Sequence, residues 1–399
     1  MLILDNADEP NFLSPFFPRA AGGHLLVTTR AADLSPFGLG IEHALVVQTF
    51  DPAQGAQLLL HRAGLLPANE PFDHTGIKDR LRAQALSLEL GGLPLALDQA
   101  GAYLAATQID LLTYQQVYQQ HRASLLAERR GREHPESVAT TWSLSFQRVA
   151  EKNAAAADVL RLCAYLFPDA IPEEIFTLGS PHLGPTLAIV ATDPLQFNQA
   201  IGALRAYSLV QRDPQARTLA VHHLIQAVLQ DEMEDAEQSC WMERALLAVN
   251  AAFPDVEHAT WPQCERLLPQ ALAATERIER YHLKHREAGR LLYATASYLQ
   301  DRARYVEAEP LYKRALHIMK QQLGAEHTQL AYPLNGLANL YREQGKYAEA
   351  EPLYERALRI WEQQMGPKHP NTQIVRRNYA LFLREMGRDA EANKLEASA

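Results

Sequence analysis

The last part of the chain repeats its pattern of hydrophobic and polar positions every 42 residues. The stretch YVEAEPLYKRALHIMKQQLG begins at Tyr305, and YAEAEPLYERALRIWEQQMG begins at Tyr347. Within the second copy, Ala357 and Ile360 belong to a set of apolar residues at helical spacing, which predicts helices with one apolar face. Because one helix pair cannot bury such a face alone, the copies are predicted to stack into an α-solenoid over 290–399.

A weaker helical pattern precedes these copies. Residues 236–289 are rich in Ala, Leu and Glu, and WPQCERLLPQALAATERI, which begins at Trp261, looks like a degraded helix of the same solenoid. Gly345 and Gly366 lie at predicted turns of the array, where the missing Cβ permits positive φ. We interpret 236–289 as a helical bridge that contains a degenerate repeat.

Residues 51–135 predict a helical subdomain. Asp51 is a plausible helix N-cap, and Pro52 suits the first helical position. Further along, RAQALSLELGGLPLALDQAGAYLA holds two amphipathic runs, which Gly91-Gly92 and Pro94 separate.

Residues 136–235 combine helices with short strands. A helix ends before the run SLVQRD, the Asp213-Pro214 turn follows, and a second short strand from Leu219 to His222 leads into another helix. This order of helix, strand, turn, strand and helix is that of a winged-helix unit. Its helices carry few Arg or Lys in a row, so a packing role is favoured over DNA binding.

Residues 1–50 predict part of an α/β sheet. Leu2–Leu4 form an apolar run that ends in Asp5, and the run HLLVTTR ends in Arg30. Continuous apolar strands are typical of parallel sheets buried on both faces, whose ligands bind at the carboxyl ends of the strands. An acid that orders a metal ion and an arginine that contacts a terminal phosphate would suit a Mg²⁺-nucleotide. Taken singly, either residue is more often an ordinary turn or cap residue.

Composition narrows the classes of protein. The 399 residues are 47% hydrophobic and 21% charged with a net charge of −9, which indicates a globular protein of two to four domains and not a general binder of nucleic acid or anionic membranes. The cysteines Cys163, Cys240 and Cys264 have no CxxC partner, which suits a reducing cytoplasm. No segment has the apolar length of a membrane helix.

The stretch from about 290 to 399 resembles tetratricopeptide repeats of the 42-residue, kinesin-light-chain-like kind. The resemblance rests on EAEPLYxRALxI, QGKYAEAEPLY and GPKHPNT. It implies a concave surface that binds a protein or peptide partner. An array that serves only as a spacer or for oligomerisation is the less favoured reading.

The ordered set LILDNAD, HLLVTTR, GGLPLALDQAGAYL, ATTWSLSF and LAVHHLIQAV resembles the NB-ARC class of STAND signal-transduction NTPases. The resemblance covers residues 1 to about 235. It implies an ADP/ATP switch in which Asp5 is the Walker B acid near Mg²⁺ and Arg30 senses the γ-phosphate. It also implies that Pro94 packs against adenine and that His222 faces the β-phosphate of ADP.

Two departures from this family matter. Asn6 stands where such ATPases often carry a second acid, and an amide cannot act as a general base, so hydrolysis is expected to be slow or absent. The sequence also has no G-x-x-x-x-G-K-[ST] loop, which in the family lies upstream of the Walker B strand. We therefore expect a fragment of a longer protein, with doubtful nucleotide binding by itself and with residues 1–50 as its least stable part.

The sequence thus predicts a mostly α protein: a P-loop sheet remnant, a helical subdomain, a winged-helix unit and a tetratricopeptide solenoid. Two functions follow. One is a cytoplasmic nucleotide switch whose repeats sense a protein partner. The other is a non-enzymatic scaffold in which the repeats bind a partner and the upstream part only packs. A DNA-binding regulator is a third, less favoured option.

Overall fold

The first long helix begins where Asp51 and Pro52 predict it. The computed structural model describes residues 2–4, 25–29, 45, 47–67, 70, 72–127, 138–207, 209–280 and 285–397, and it is mostly helical. The Asp51 carboxylate accepts hydrogen bonds from the amides of Ala53 and Gln54, both at 2.9 Å, which confirms the predicted cap. Residues 51–127 contain α1 (Pro52–Arg62), α2 (Ile77–Glu89), α3 (Pro94–Thr107) and α4 (Leu111–Ala127).

The chain divides into two units. The first consists of Met1–Ile171 and Pro185–Trp241, and the second of Pro172–Gly184 and Met242–Ala399. A short segment from the region predicted as a winged helix therefore belongs with the second unit. The predicted boundary after residue 235 coincides with the start of a long helix and not with a linker.

The described residues near the N-terminus contain two short strands. β1 (Leu2–Leu4) and β2 (Leu25–Val27) pair in parallel, with Leu2 opposite Leu25. The side chain of Leu26 is 52% exposed, so β2 is not buried on both faces at that position, contrary to the prediction from its apolar sequence. Asp5 and Arg30 lie outside the described residues.

The stretch that follows residue 137 is helical with one small sheet. The helices are α5 (Val138–Lys152), α6 (Ala154–Cys163), α7 (Glu174–Gly179), α8 (Gly184–Thr192), α9 (Pro194–Arg205) and α10 (His223–Glu232), and the strands are β3 (Ile171–Pro172), β4 (Gln211–Asp213) and β5 (Thr218–Ala220). Strands β4 and β5 are antiparallel, and β5 also pairs with β3, which gives the order β3-β5-β4.

The turn between β4 and β5 is fixed by Asp213. Its carboxylate accepts hydrogen bonds from the amides of Gln215 and Ala216 at 2.8 and 2.9 Å. The second strand ends at Ala220, two residues before the predicted end, because the side chain of His222 caps the next helix instead of extending the sheet.

A single hydrophobic cluster holds α1–α4 and α10 together. It contains Leu59, Leu86 and Leu97 from α1, α2 and α3, each at most 1% exposed, together with Leu224 and Val228 of α10. Helix α10 begins more than 90 residues after α4 ends, yet it packs on the helical subdomain. This packing places the start of α10 beside the end of α2.

The second unit is built from helix pairs. Glycines 345 and 366 have φ of +73° and +85°, which confirms the predicted turns. The array has the predicted 42-residue register, since Tyr305 and Tyr347 each begin a 19-residue helix. The helices are α11 (Asp235–Ala252, shared by both units), α12 (Trp261–Arg280), α13 (Arg286–Asp301), α14 (Tyr305–Leu323), α15 (Ala331–Glu343), α16 (Tyr347–Met365), α17 (Pro370–Glu385) and α18 (Asp389–Ala397).

Candidate functional site

Two adjacent histidines at the start of α10 contact the end of α2. The Nδ1 atom of His222 accepts a hydrogen bond from the amide of Leu224 at 3.2 Å, so the neutral ring carries its proton on Nε2. That Nε2 donates to the carbonyl oxygen of Gly91 at 3.3 Å. The Nε2 of His223 donates to the carbonyl oxygen of Glu89 at 3.1 Å. We call this pair of contacts the histidine clasp.

The clasp depends on a turn that only glycine fits. Gly91 and Gly92 have φ of +66° and +63°, a region that costs other residues energy. A Cβ on Gly91 would lie 2.1 Å from Cε1 of His222. A Cβ on Gly92 would lie 2.2 Å from the carbonyl oxygen of Phe50, whose amide donates to the Gly92 carbonyl at 2.9 Å. The turn therefore holds both α10 and the segment that leads into α1.

A cavity of about 460 Å³ lies beside the clasp. Its wall is formed by short pieces of the first unit that are distant in sequence: 49–52, 87–92, 168–169, 209–211 and 220–225. Thr49, Asp169 and Gln211 add polar side chains to the two histidines, and Phe50 adds an aromatic ring. Among its described lining residues there is no Lys or Arg. The volume lies within the range of small-molecule sites.

Burial favours the neutral form of the clasp. The pKa of His222 is lowered, mainly because burial disfavours its charged form and also because His223 lies next to it. The two rings stack with centroids 4.6 Å apart, and the ring of Trp142 lies 6.0 Å from that of His222. Protonation would convert the Nδ1 acceptor to a donor and place positive charge at the start of α10, which the helix dipole disfavours.

The structure describes the positions of two of the four residues predicted to hold a nucleotide, His222 and Pro94. His222 lies in the cavity wall. Pro94 is an exposed residue that begins α3, just after the glycine turn, and it does not line the cavity. Asp5 and Arg30 fall outside the described residues, so the predicted Mg²⁺ ligand has no described position. Within the described part of the chain, no cluster of His, Cys, Asp or Glu has the make-up of a metal site.

Sequence reasoning did not single out His223, Phe50 or Asp169 as site residues. The dipeptide His222-His223 directly after a short strand was the available signal for His223. Nothing local marks Phe50 or Asp169, because each reaches the cavity only through the packing of distant segments.

The repeats carry a second set of functional candidates. Polar contacts recur between successive pairs: Gln300 donates to Glu343 at 3.1 Å, and Arg342 to Glu385 at 3.0 Å. Tyr332 is 39% exposed, and its ring meets those of Tyr293 and Trp361 at 5.9 and 5.2 Å. Tyr293 and Tyr332 are partly exposed, whereas Trp361 is buried.

Comparison with known families confirms the repeats. The tetratricopeptide repeat family matches residues 287–360 and 329–399. A domain of unknown function, DUF7779, matches residues 147–238, which include α6, α10 and the clasp histidines. In the described part of the chain, no helix combines the length and apolar character needed to cross a membrane.

One longer protein is similar over much of this chain. A nucleotide-binding leucine-rich repeat (NLR)-like protein of Hyaloscypha variabilis is 26% identical over 364 aligned residues, which cover 84% of this chain and 34% of the relative. The chain thus spans about a third of that relative's length. The repeats by themselves support a protein-interaction role.

Proposed function

We propose that this chain is the regulatory and sensor part of a nucleotide-switched signalling protein of the NB-ARC/STAND type. In this proposal an adenine nucleotide, ADP or ATP with Mg²⁺, adjusts the contact between the helical subdomain and the segment that bears α10. The tetratricopeptide repeats bind a protein partner. The observation that carries the proposal is the histidine clasp at the edge of a 460 Å³ cavity.

The clasp offers a physical way to couple ligand binding to conformation. The proton on Nε2 of His222 has one acceptor, the carbonyl of Gly91. A phosphate oxygen placed beside the ring would compete for that proton as a stronger, charged acceptor. A ligand that binds one arrangement more tightly than the other shifts the population toward it.

The cavity suits part of a nucleotide better than all of it. Phe50 and the histidine rings provide surfaces for a base, and Gln211 and Asp169 provide hydrogen-bonding groups. Because the described wall lacks Lys and Arg, phosphates need other groups. Asp5 and Arg30 are proposed to supply the metal contact and one phosphate contact. With no glycine-rich lysine loop in the sequence and Asn6 after the acid, affinity is expected to be low and hydrolysis slow or absent.

The segment around β4, β5 and α10 is proposed to be a winged-helix unit with a packing role. Leu224 and Val228 of its last helix are buried in the core of α1–α4. A helix used in this way has its apolar face committed to the protein interior. Nucleic acid is therefore not a proposed partner.

Nucleotide binding is tested by thermal unfolding with ADP or ATP and Mg²⁺ at about 10 mM, since a weak ligand stabilises the fold measurably only at concentrations comparable to or above its dissociation constant. We expect a rise in melting temperature for the chain and none for His222→Ala. Controls with inorganic phosphate in place of the nucleotide separate the effect of the nucleotide from that of an anion. Equal melting curves with and without nucleotide, in the presence of intact folding, would exclude the switch for this chain.

The alternative is a non-enzymatic scaffold. The lack of Lys and Arg in the described cavity wall favours it, because no cationic side chain there attracts phosphates. Under this alternative the clasp only fixes the fold, and His222→Ala lowers stability equally with and without nucleotide. Partner binding by the repeats is common to both functions and does not discriminate between them.

A further inference from the structure

Helix α2 carries a row of exposed apolar side chains along its whole length. Ile77, Leu81 and Leu88 are 68%, 60% and 62% exposed, and Ala85 between them is exposed as well. Because these residues follow one another at intervals of four, four and three, they lie on one face of the helix. We call this row the α2 stripe, and it runs along the helix for about 17 Å.

The α2 stripe lies opposite the face that α2 buries in the fold. Ala83 and Leu86 are at most 1% exposed and belong to the hydrophobic cluster of α1–α4 and α10. Helix α2 is therefore apolar on two opposite sides, although burial of one side is enough to anchor it. Single exposed apolar residues are ordinary, whereas a row of them along one helix indicates a surface that binds a partner.

One edge of the α2 stripe carries two opposite charges. Lys78 and Glu89 lie near the two ends of the helix and about 20° apart around its axis, so they flank the stripe on the same side. Glu89 accepts hydrogen bonds from the neutral side-chain amides of Gln115 and Gln119 at 2.9 and 3.4 Å. No ion pair joins Lys78 or Glu89 to another residue in the described part of the chain. Neither charge is therefore neutralised there.

The α2 stripe is complementary to itself when two copies of α2 run antiparallel. With a two-fold axis at position 83, Leu81 of each chain meets the small Ala85 of the other. In antiparallel helices the same edges lie side by side, so Lys78 of each chain faces Glu89 of the other. A parallel pair would instead place Lys78 beside Lys78 and Glu89 beside Glu89, which repel each other. The charges thus select the antiparallel arrangement.

We propose that two copies of this chain associate through the α2 stripe, with their α2 helices antiparallel around a two-fold axis. This inference does not depend on the nucleotide switch or on partner binding by the repeats. The small Ala85 at the centre lets the two helices approach closely. A stripe on a single helix is smaller than the roughly 800 Å² per partner of a standard interface, so the dimer is expected to be weak.

The first test is sedimentation velocity of the whole chain between about 1 and about 100 µM, since a weak dimer forms only at the upper end. Leu81→Glu places a carboxylate from each chain in the apolar centre and should weaken association by about tenfold or more. Leu81 is chosen because Leu88 also lines the cavity. Leu195→Glu is the matched control, because Leu195 of α9 is 67% exposed and lies outside the stripe, and it should leave association unchanged.

Charge reversal tests the antiparallel arrangement. Lys78→Glu and Glu89→Lys should each weaken association several-fold, because each makes like charges face each other at both ends of the paired helices. The double variant Lys78→Glu/Glu89→Lys exchanges the two charges and should restore association. Circular dichroism of each variant checks that the fold is kept.

Three results would contradict the proposed dimer. A chain that stays monomeric at about 100 µM would overturn it and leave the stripe to a different protein. A dimer that is equally stable in Leu81→Glu would place the interface elsewhere. A double variant that associates no better than the two single variants would overturn the antiparallel arrangement. The thermal-unfolding test with nucleotide is read separately, so failure of the dimer and failure of the proposed function are distinguishable.

Discussion

The histidine clasp and the repeat array connect residues over very different lengths of chain. The clasp joins His222 to Gly91 and His223 to Glu89, pairs that are 131 and 134 residues apart. In the array, ties between successive helix pairs span 43 residues from Gln300 to Glu343 and 37 from Glu309 to Lys346. Each helix pair of the array is therefore stabilised by its immediate neighbours, whereas the clasp requires the whole core of α1–α4 and α10.

The largest effect that tests this contrast is expected from Leu292→Ala in α13. Leu292 is fully buried, so its truncation should cost about 3 kcal/mol through lost burial and the cavity left behind. Hydrogen exchange should speed up in α12 and α14 as well as in α13, and stay unchanged in α2 and α10. Gln322→Ala, at an exposed position of α14, is the control. Equal loss of protection at the clasp would show that the two regions unfold as one.

The next effect is expected from Gly91→Ala. The positive φ costs about 1 kcal/mol and the clash with His222 adds about 2, so stability should fall by about 3 kcal/mol in total. Gly345→Ala has a similar φ of +73° but no atom within 4 Å of the new Cβ, so it should cost about 1 kcal/mol. Denaturant unfolding of the two variants measures the difference. Equal losses would mean that the clasp does not constrain the glycine turn.

A smaller effect is expected from pH. Because the pKa of His222 in the fold lies below its ordinary value of 6.5, the unfolded chain binds the proton more readily. The contribution of the clasp is therefore complete above pH 6.5 and decreases as pH falls from 6.5 toward the lowered pKa. Thermal unfolding between pH 5 and about 8, the range in which histidine titrates, should show this loss in the chain and a weaker one in His222→Ala. An unchanged slope in the variant would assign the loss to other groups.

The smallest effect is expected from Glu309→Gln between repeats. The Lys313 ammonium, with help from Lys346 and Tyr341, holds the pKa of Glu309 below its usual range. Such exposed ion pairs contribute about 0.5 kcal/mol, and about 1 M salt screens most of this. Denaturant unfolding at low and high salt should show the loss at low salt alone. Glu349→Gln, an exposed glutamate of the next helix pair, should have no effect at either.

Local rules predicted much of the array and the first helix. Asp51 and Pro52 start α1 because a carboxylate can accept the free amides of a helix and proline lacks one. Gly345 and Gly366 adopt positive φ because the turns between helices need it. The 42-residue period set which faces are buried, since each repeat contacts only its neighbours.

The candidate site was harder to predict from such local rules. His222 was singled out, yet its partner, the Gly91 carbonyl, is a backbone atom that no side-chain pattern identifies. Pro94 was singled out for a ligand contact, but its side chain is exposed at the first position of α3.

The sequence by itself determined where helices begin, which residues repeat and that the repeats must stack, because these depend on interactions between residues close in the chain. Only the tertiary structure decided that α10 packs on α1–α4 and that its histidines reach the end of α2. These contacts depend on the burial of apolar surface between segments more than 60 residues apart. Many different pairings would bury such surface equally well, and the local pattern does not select among them.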